Sequence, residues 1–171
     1  FKHAILSGAG GSWINNIIYK KSPLDVRPLA ETILGYLDIG RTLTDYDPAV
    51  TLLQWAGEAA DPQSYGQLAL TPQRNVLMIE GIVDTYIMPP IANTTALSLK
   101  LDLAGPALDE SDERLAAFPP LGDLLGYSGA QKIPLPAHDN RAGHTAVVVQ
   151  SAADAIEDGH EAMFQTPGPK H

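Results

Sequence analysis

Two residues that could act together in proton transfer each follow a stretch typical of a buried strand. Asp84 comes after the apolar run 76–80 and the break at Gly81, and His160 comes shortly after the β-branched run 145–150. A carboxylate that accepts a hydrogen bond from one imidazole nitrogen fixes the tautomer whose other nitrogen can take a proton from a hydroxyl. The pair therefore has the chemistry of two members of a Ser-His-Asp triad.

The apolar pattern predicts an α/β protein with a parallel sheet, which would bring these two residues together. Strands are predicted over residues 3–7, 76–80 and 145–150 and are separated by helical stretches. Ligands in such folds bind beyond the carboxyl ends of the strands, where Asp84 and His160 both stand. We expect the sheet to place them side by side although they are far apart in sequence.

Helices are predicted between the first two strands. Apolar spacing favours a helix over residues 28–37, and Asp47-Pro48 and Asp61-Pro62 fit an N-cap followed by proline at the first helical position. These caps predict helices over 48–57 and 62–69. Trp55 fits most simply on a buried helix face, and the alternative is the apolar underside of a lid.

Beyond the second strand, the apolar residues from 91 to 103 predict one more helix that ends before Gly105-Pro106. Residues 105–143 are rich in Gly, Pro, Asp and Ala and show no clean period. We expect them to form a long ordered insertion.

Composition limits the possible partners. The chain has 171 residues, of which 44% are hydrophobic and 18% charged, a balance typical of one globular domain or a large part of one. A net charge of -9 disfavours nucleic acid and anionic lipid and favours a neutral or apolar partner. The absence of cysteine excludes disulfides, thiolate metal sites and a cysteine nucleophile within this chain. No apolar stretch approaches the ~20 residues of a membrane helix.

The order of these motifs resembles the C-terminal part of an α/β-hydrolase of the bacterial lipase or esterase type. The segment AILSGAGGS resembles the strand after the nucleophile strand, VLMIEGIVDTYIMPP resembles the next strand with Asp84 as the triad acid, and TAVVVQ with DGHEAMF resembles the last strand and the loop of the triad histidine, His160. The resemblance implies that residues 1–171 are the C-terminal part of one domain with the last three parallel strands of the sheet. It also implies a lid-like helical insertion over 23–73 and an irregular insertion over 105–143.

The resemblance further implies a carboxylic ester hydrolase that acts on a small-molecule ester or a lipid-like substrate and needs no metal or organic cofactor. In such enzymes the nucleophilic serine lies in a G-x-S-x-G elbow that precedes the acid. No such elbow precedes Asp84. The nearest similar segment, around Ser128, lacks the final glycine and stands between Asp84 and His160.

We therefore expect the nucleophile upstream of Phe1, which would leave this chain inactive by itself. The open edge of the first strand would then be a place for association, because unpaired strand edges invite pairing.

Three alternatives stay open at this point. The chain could be a non-catalytic α/β binding or interaction module in which Asp84 and His160 are ordinary loop residues. The glycines of 8–11 could approach a dinucleotide phosphate, although Trp13 stands at the third glycine position of that motif. A metal could bind around His138 and His144, which we expect to be solvated instead.

Overall fold

The computed structural model describes residues 1–69, 73–152 and 156–164 as an α/β structure with one five-stranded, all-parallel sheet. The strand order is β1-β2-β5-β3-β4. The three predicted strands correspond to β1, β2 and β5, which are neighbours in the sheet. The strands are β1 (His3–Ser7), β2 (Asn75–Gly81), β3 (Asp102–Ala104), β4 (Lys132–Ile133) and β5 (Ala146–Ser151).

Helices precede, connect and cover these strands. They are α1 (Trp13–Tyr19), α2 (Val26–Ile33), α3 (Pro48–Gly57), α4 (Gly66–Ala69), α5 (Pro89–Ser98) and α6 (Leu121–Ser128). Short 3₁₀ helices lie at Leu37–Ile39, Glu58–Ala60, Pro62–Tyr65, Leu108–Glu110, Glu113–Leu115 and Gly159–Phe164. Within the described residues, no helix has both the length and the apolar character to cross a membrane.

The main core lies between the sheet and the helices α5 and α6. Alternate residues of β2 point to this side, among them Val76 and Met78, and Val148 of β5 lies beside Met78 in the register of the two strands. Burying a side chain of this size stabilises the fold by about 1.5–3 kcal/mol. The buried members of the core are Val76, Met78, Ala92, Ala96, Leu99, Leu101, Leu103, Leu121, Leu125, Ala130, Ala146 and Val148.

A helical section, defined here as residues 23–69, lies between β1 and β2 as predicted. It shares a smaller core with α1, in which Ile18, Leu43 and Val50 are buried. The two predicted N-caps are confirmed, because the Asp47 carboxylate accepts from Ala49 N at 2.9 Å and that of Asp61 accepts from Gln63 N. Residues 70–72 of the predicted insertion lie outside the described residues.

Four predictions need correction. The sheet has five strands and not the predicted three, because β3 pairs with β5 and β4 pairs with β3. The helix predicted towards residue 103 ends at Ser98, because Lys100 takes a left-handed backbone conformation (φ 51°) and β3 follows. The segment 105–143 is only partly irregular, since it contains α6 and β4. The buried position predicted for Trp55 is wrong, because its side chain is 74% exposed.

β1 forms one edge of the sheet and pairs with β2 alone among the described strands. Its central residue Ile5 is exposed, whereas the corresponding side chains of β2 are at least half-buried. The edge on which association was predicted is therefore accessible in this structure. Association itself remains a prediction.

Candidate active site

Asp84 and His160 meet at the carboxyl edge of the sheet, where the sequence analysis placed them. Nδ1 of His160 lies 3.0 Å from Oδ2 of Asp84, which is hydrogen-bond distance. The carboxylate is almost fully buried, with 2% of the residue exposed, while the imidazole side chain keeps 38% of its surface in solvent. The pair thus has a buried anchor and an accessible ring.

The backbone around Asp84 holds its carboxylate in one orientation. β2 ends at Gly81, and two residues later Val83 takes a left-handed conformation (φ 64°), which is costly for a β-branched residue. Oδ1 of Asp84 then accepts from the backbone N–H groups of Tyr86 at 2.8 Å and Ile87 at 2.7 Å. These turn bonds leave Oδ2 free to accept from the imidazole.

His160 has close neighbours in the loop of Asp84 and in the loop after β1. It lies in the turn Gly159–Phe164, which follows β5, and its imidazole stacks on the ring of Tyr86 with centroids 4.7 Å apart. The loop after β1 also approaches the ring, because a Cβ atom at Gly8 would lie 2.5 Å from Cε1 of His160. Gly8 has a φ of 57°, so both its backbone conformation and the nearby ring require glycine. The ring therefore has little freedom to move.

Two glycines allow the loops of Asp84 and His160 to touch backbone to backbone. A Cβ atom at Gly81 would collide with the carbonyl group of Gly159. A Cβ atom at Gly159 would in turn lie 2.6 Å from the carbonyl oxygen of Ile82 and 2.7 Å from the amide nitrogen of Asp84. Any larger residue at either position must push the loops apart.

A second acid ties the same loops together. Asp158 accepts from the backbone N–H of His160 at 2.9 Å and, across the loops, from the N–H of Thr85 at 3.1 Å and its hydroxyl at 2.5 Å. Burial alone would raise the pKa of Asp158, but these hydrogen bonds outweigh it and lower the pKa. We use the name acid–base rim for residues 80–87 and 158–160.

A third acid, Glu80, lies behind the pair on the strand β2. It is fully buried, and its Oε2 accepts from Nε2 of Gln150 on β5 at 3.2 Å. The side-chain oxygen of Gln150, Oε1, accepts from the backbone N–H groups of Leu108 and Asp109. The same side-chain amide therefore also holds the segment after β3. Burial raises the pKa of Glu80 to about 8, and the charges of Asp109 and Asp84 act in the same direction.

The outer nitrogen of the imidazole, Nε2, has no hydrogen-bond partner among the residues that the structure describes. Ser12, near the end of β1, and Ser128 make their hydrogen bonds elsewhere and none to this nitrogen. The Ser12 hydroxyl caps α1 by accepting from Asn15 N, and Ser128 ends α6 and donates to the carbonyl of Leu125. Nε2 is therefore free to accept a proton from a group that is not provided by these residues.

An apolar groove of about 440 Å³ begins beside Gly8 and runs along the sheet face next to β1. Its walls are mostly aliphatic and aromatic, and they include Leu6, Tyr65 and Leu99. Pockets of this size and lining are typical of sites for small apolar ligands. The groove and the imidazole share Gly8 as a common boundary.

An acid, Asp61, occupies the place where the phosphate of a dinucleotide would bind. Both carboxylate oxygens of Asp61 lie 3.0 Å from the backbone N–H of Ser12, at the start of α1, and a Cβ atom at Gly11 would lie 3.0 Å from Oδ1 of Asp61. A buried carboxylate here would repel a phosphate.

His138 is largely exposed at the surface, as predicted. The prediction that His144 is solvated needs correction, because this residue is only partly exposed and its Nδ1 is buried with no hydrogen-bond partner in the described part of the chain. No cluster of three or more His, Cys, Asp or Glu side chains suited to a metal occurs in the described part of the chain.

The sequence analysis predicted that Asp84 and His160 lie side by side, and it missed the residues that position them. Asp158 and Thr85 carry no recognisable motif, and the roles of Gly81 and Gly159 depend on a close approach that spacing does not reveal. Glu80 did leave a signal, since it is the one charged residue in the apolar run of β2.

Comparisons with protein-family profiles, curated proteins and solved structures found no match for this chain.

Proposed function

We propose that this chain provides the acid and the base of a Ser-His-Asp triad in a carboxylic ester hydrolase of the α/β-hydrolase type. The observation that carries the proposal is the 3.0 Å hydrogen bond between His160 and the buried Asp84 at the carboxyl edge of a parallel sheet, with Nε2 of the imidazole left unbonded among the described residues. The nucleophile is a serine outside residues 1–171.

In this mechanism His160 carries a proton in each of two steps. Nε2 takes the proton of the serine hydroxyl as the oxygen attacks the ester carbonyl, and it gives that proton to the leaving alcohol, which leaves an acyl-serine. In the second step Nε2 takes a proton from the water that attacks the acyl-serine, and it gives that proton to the serine oxygen as the acid leaves. The Nδ1–H group donates to Oδ2 of Asp84 throughout, which holds the ring in the required tautomer and stabilises the imidazolium that forms. The packing of the ring against Tyr86 and Gly8 supports this role, because proton transfer needs a fixed geometry.

A lipid-like ester is the substrate class that the apolar surfaces favour. The groove next to Gly8 is apolar, and the helical section leaves Leu52 and Trp55 of α3 exposed. These exposed side chains also support a lid-like role for residues 23–69, since large exposed apolar patches mark sites of contact with ligands, partners or membranes.

The alternative function is that of a non-catalytic α/β binding module. The same groove favours it, because about 440 Å³ of apolar space could hold a ligand without any chemistry. In that case the contact between Asp84 and His160 has only a structural role.

Hydrolysis assays on the longer protein encoded by the same reading frame would distinguish the two functions. We expect turnover of p-nitrophenyl esters, and we expect His160→Ala to lower kcat by about 10³-fold or more with little change in KM. Asp84→Asn should lower kcat as well, because the imidazole loses its tautomer control. His138→Ala is the matched control, since the side chain of this histidine is 81% exposed and pairs with Asp139 at the surface.

Residues 1–171 alone should show no turnover above background. Turnover by this chain alone that disappears in His160→Ala would contradict the proposal of an external serine. A longer protein whose ester hydrolysis does not respond to His160→Ala would favour the binding module.

A further inference from the structure

The proposed mechanism does not use Glu80, although this acid is fully buried directly behind the reacting pair. Its Oε2 accepts one hydrogen bond from Gln150, and its Oε1 is buried with no partner in the described part of the chain. A buried ionised carboxylate without full hydrogen bonding is costly, and proteins usually avoid it by keeping the proton.

The surroundings of Glu80 contain acids but no base. Asp84 faces it from the loop after β2, and Asp109 faces it from the turn Leu108–Glu110. Gln150 contacts it from β5, and the glycine-rich loop after β1 contributes only Gly8 and Ala9. The gap that Glu80 shares with Asp84 and Gly8 has no room for a water molecule. No described cation or solvent therefore offsets a negative charge at this position.

We propose that Glu80 is a positioning residue for Asp84 and His160, and that it does so by remaining a neutral carboxylic acid at neutral pH. In that state Glu80 adds no negative charge beside Asp84. Loss of the Glu80 proton would place a second negative charge in the same closed space. Repulsion between the two carboxylates would then disturb the turn bonds of Asp84 and, through Oδ2, the orientation of His160.

The raised pKa of Glu80, about 8, supports this assignment because it places the loss of the proton just above neutral pH. The assignment rests on the proposed function only in treating His160 as the reacting base. The gap that Glu80 shares with Asp84, and the hydrogen bond from the imidazole to Asp84, are independent of turnover, so a magnetic resonance experiment tests the assignment even if the chain hydrolyses no ester.

The experiment follows the ring resonances of His160 through a pH titration of this chain around pH 8. In the wild type we expect an inflection near pH 8, separate from the titration of the imidazole itself. Glu80→Gln has nearly the shape of the neutral acid and cannot ionise, so that inflection should disappear while the ring stays in place. Glu157→Gln is the matched control: it removes an exposed acid close to His160 in sequence and should leave the inflection unchanged.

A wild-type titration with no inflection near pH 8, or one that persists in Glu80→Gln, would overturn the proposal. Backbone resonances of Gly81 and Tyr86 serve as the folding check for Glu80→Gln. If that variant fails to fold, Gln150→Leu offers a second test. This substitution removes the one hydrogen bond to Glu80, and it should move the inflection to higher pH if the proposal holds. An inflection that does not move would count against it.

Discussion

The acid–base rim is packed backbone against backbone, whereas the helical section leaves many large apolar side chains in water. In the rim, glycines at 81 and 159 let two loops touch, and Asp84 and Asp158 use most of their oxygens for hydrogen bonds. The exposed large apolar residues of the helical section are Leu24, Leu29, Ile33, Leu34, Leu37, Ile39, Tyr46, Leu52, Leu53, Trp55, Tyr65 and Leu68.

This difference indicates different uses for the two regions. Under the proposed function the rim transfers a proton, which requires positions accurate to a fraction of an ångström, and the dense packing of the rim fits that requirement. A surface with many exposed Leu and Ile side chains has little internal packing to lose, and it is typical of a region that contacts an apolar substrate or partner. Substitutions should therefore be costly for stability in the rim and nearly neutral for stability on the helical surface.

The largest effect is expected from Gly81→Ala. The new methyl group would collide with the carbonyl of Gly159, and separating the loops should lower the free energy of unfolding by about 3 kcal/mol. Gly126→Ala is the matched control: it lies in α6 with no heavy atom close to the added methyl group, and it should raise stability by about 0.5–1 kcal/mol. Denaturant unfolding measures both. Equal effects of the two substitutions would show that the rim is not densely packed.

Asp158→Asn should have the next largest effect, a loss of about 2 kcal/mol at neutral pH, because a charged acceptor shared by Thr85 and His160 is replaced. The pKa of Asp158 is lowered in the folded state. Its contribution is therefore present above the pKa of the unfolded chain and is lost as the pH falls through the folded value.

Unfolding curves across the acidic range should show this loss in the wild type and a weaker pH dependence in Asp158→Asn. Asp38→Asn in the helical section is the control, since Asp38 is exposed and should change stability by less than about 0.5 kcal/mol. A larger loss in the control than in the rim variant would reverse the comparison between the regions.

A smaller effect is expected from Glu80→Gln, and it appears on the alkaline side. The folded pKa of Glu80 is raised, so the stability that its proton provides is fully present below the unfolded pKa and is lost as the pH rises through about 8. Between about pH 7 and pH 8 the wild type should lose about 1 kcal/mol through this group, and Glu80→Gln should not. Unfolding curves that stay parallel for the two proteins over this range would contradict the expectation.

The smallest effect on stability is expected from the double substitution of Leu52 and Trp55 by serine. Both side chains are exposed on α3, so the free energy of unfolding should change by no more than about 0.5 kcal/mol. Val50→Ser on the same helix is the control, because Val50 is buried and its loss should cost about 2 kcal/mol or more. Light scattering at several concentrations would show whether the serine pair also reduces association.

Local sequence patterns predicted three of the five strands and the proximity of Asp84 and His160. Short apolar runs identified β1, β2 and β5, and Asp-Pro pairs identified the starts of α3 and of the turn at Pro62–Tyr65. β3 was missed because Leu101 and Leu103 continue the apolar pattern of α5, and the break occurs at Lys100, a residue that rarely takes a left-handed conformation. β4 has two residues and is too short to leave a pattern.

The positioning residues of the site could not be predicted for a different reason. The roles of Gly8 and Gly159 depend on which distant atoms lie next to them, and no spacing rule provides that information. The apolar face of α3 predicts that Trp55 is buried, but an apolar helix face can also remain exposed, as it does here.

The central position of β5 has a consequence for synthesis. This strand follows β2, β3 and β4 in the sequence but lies between β2 and β3, so neither of those two strands can pair along its inner edge until residue 151 has left the ribosome. Until then the nascent chain exposes two apolar strand edges, a state that promotes aggregation and the binding of chaperones. Codon choice between β3 and β5 should therefore affect the yield of folded protein more than the same changes between β1 and β2.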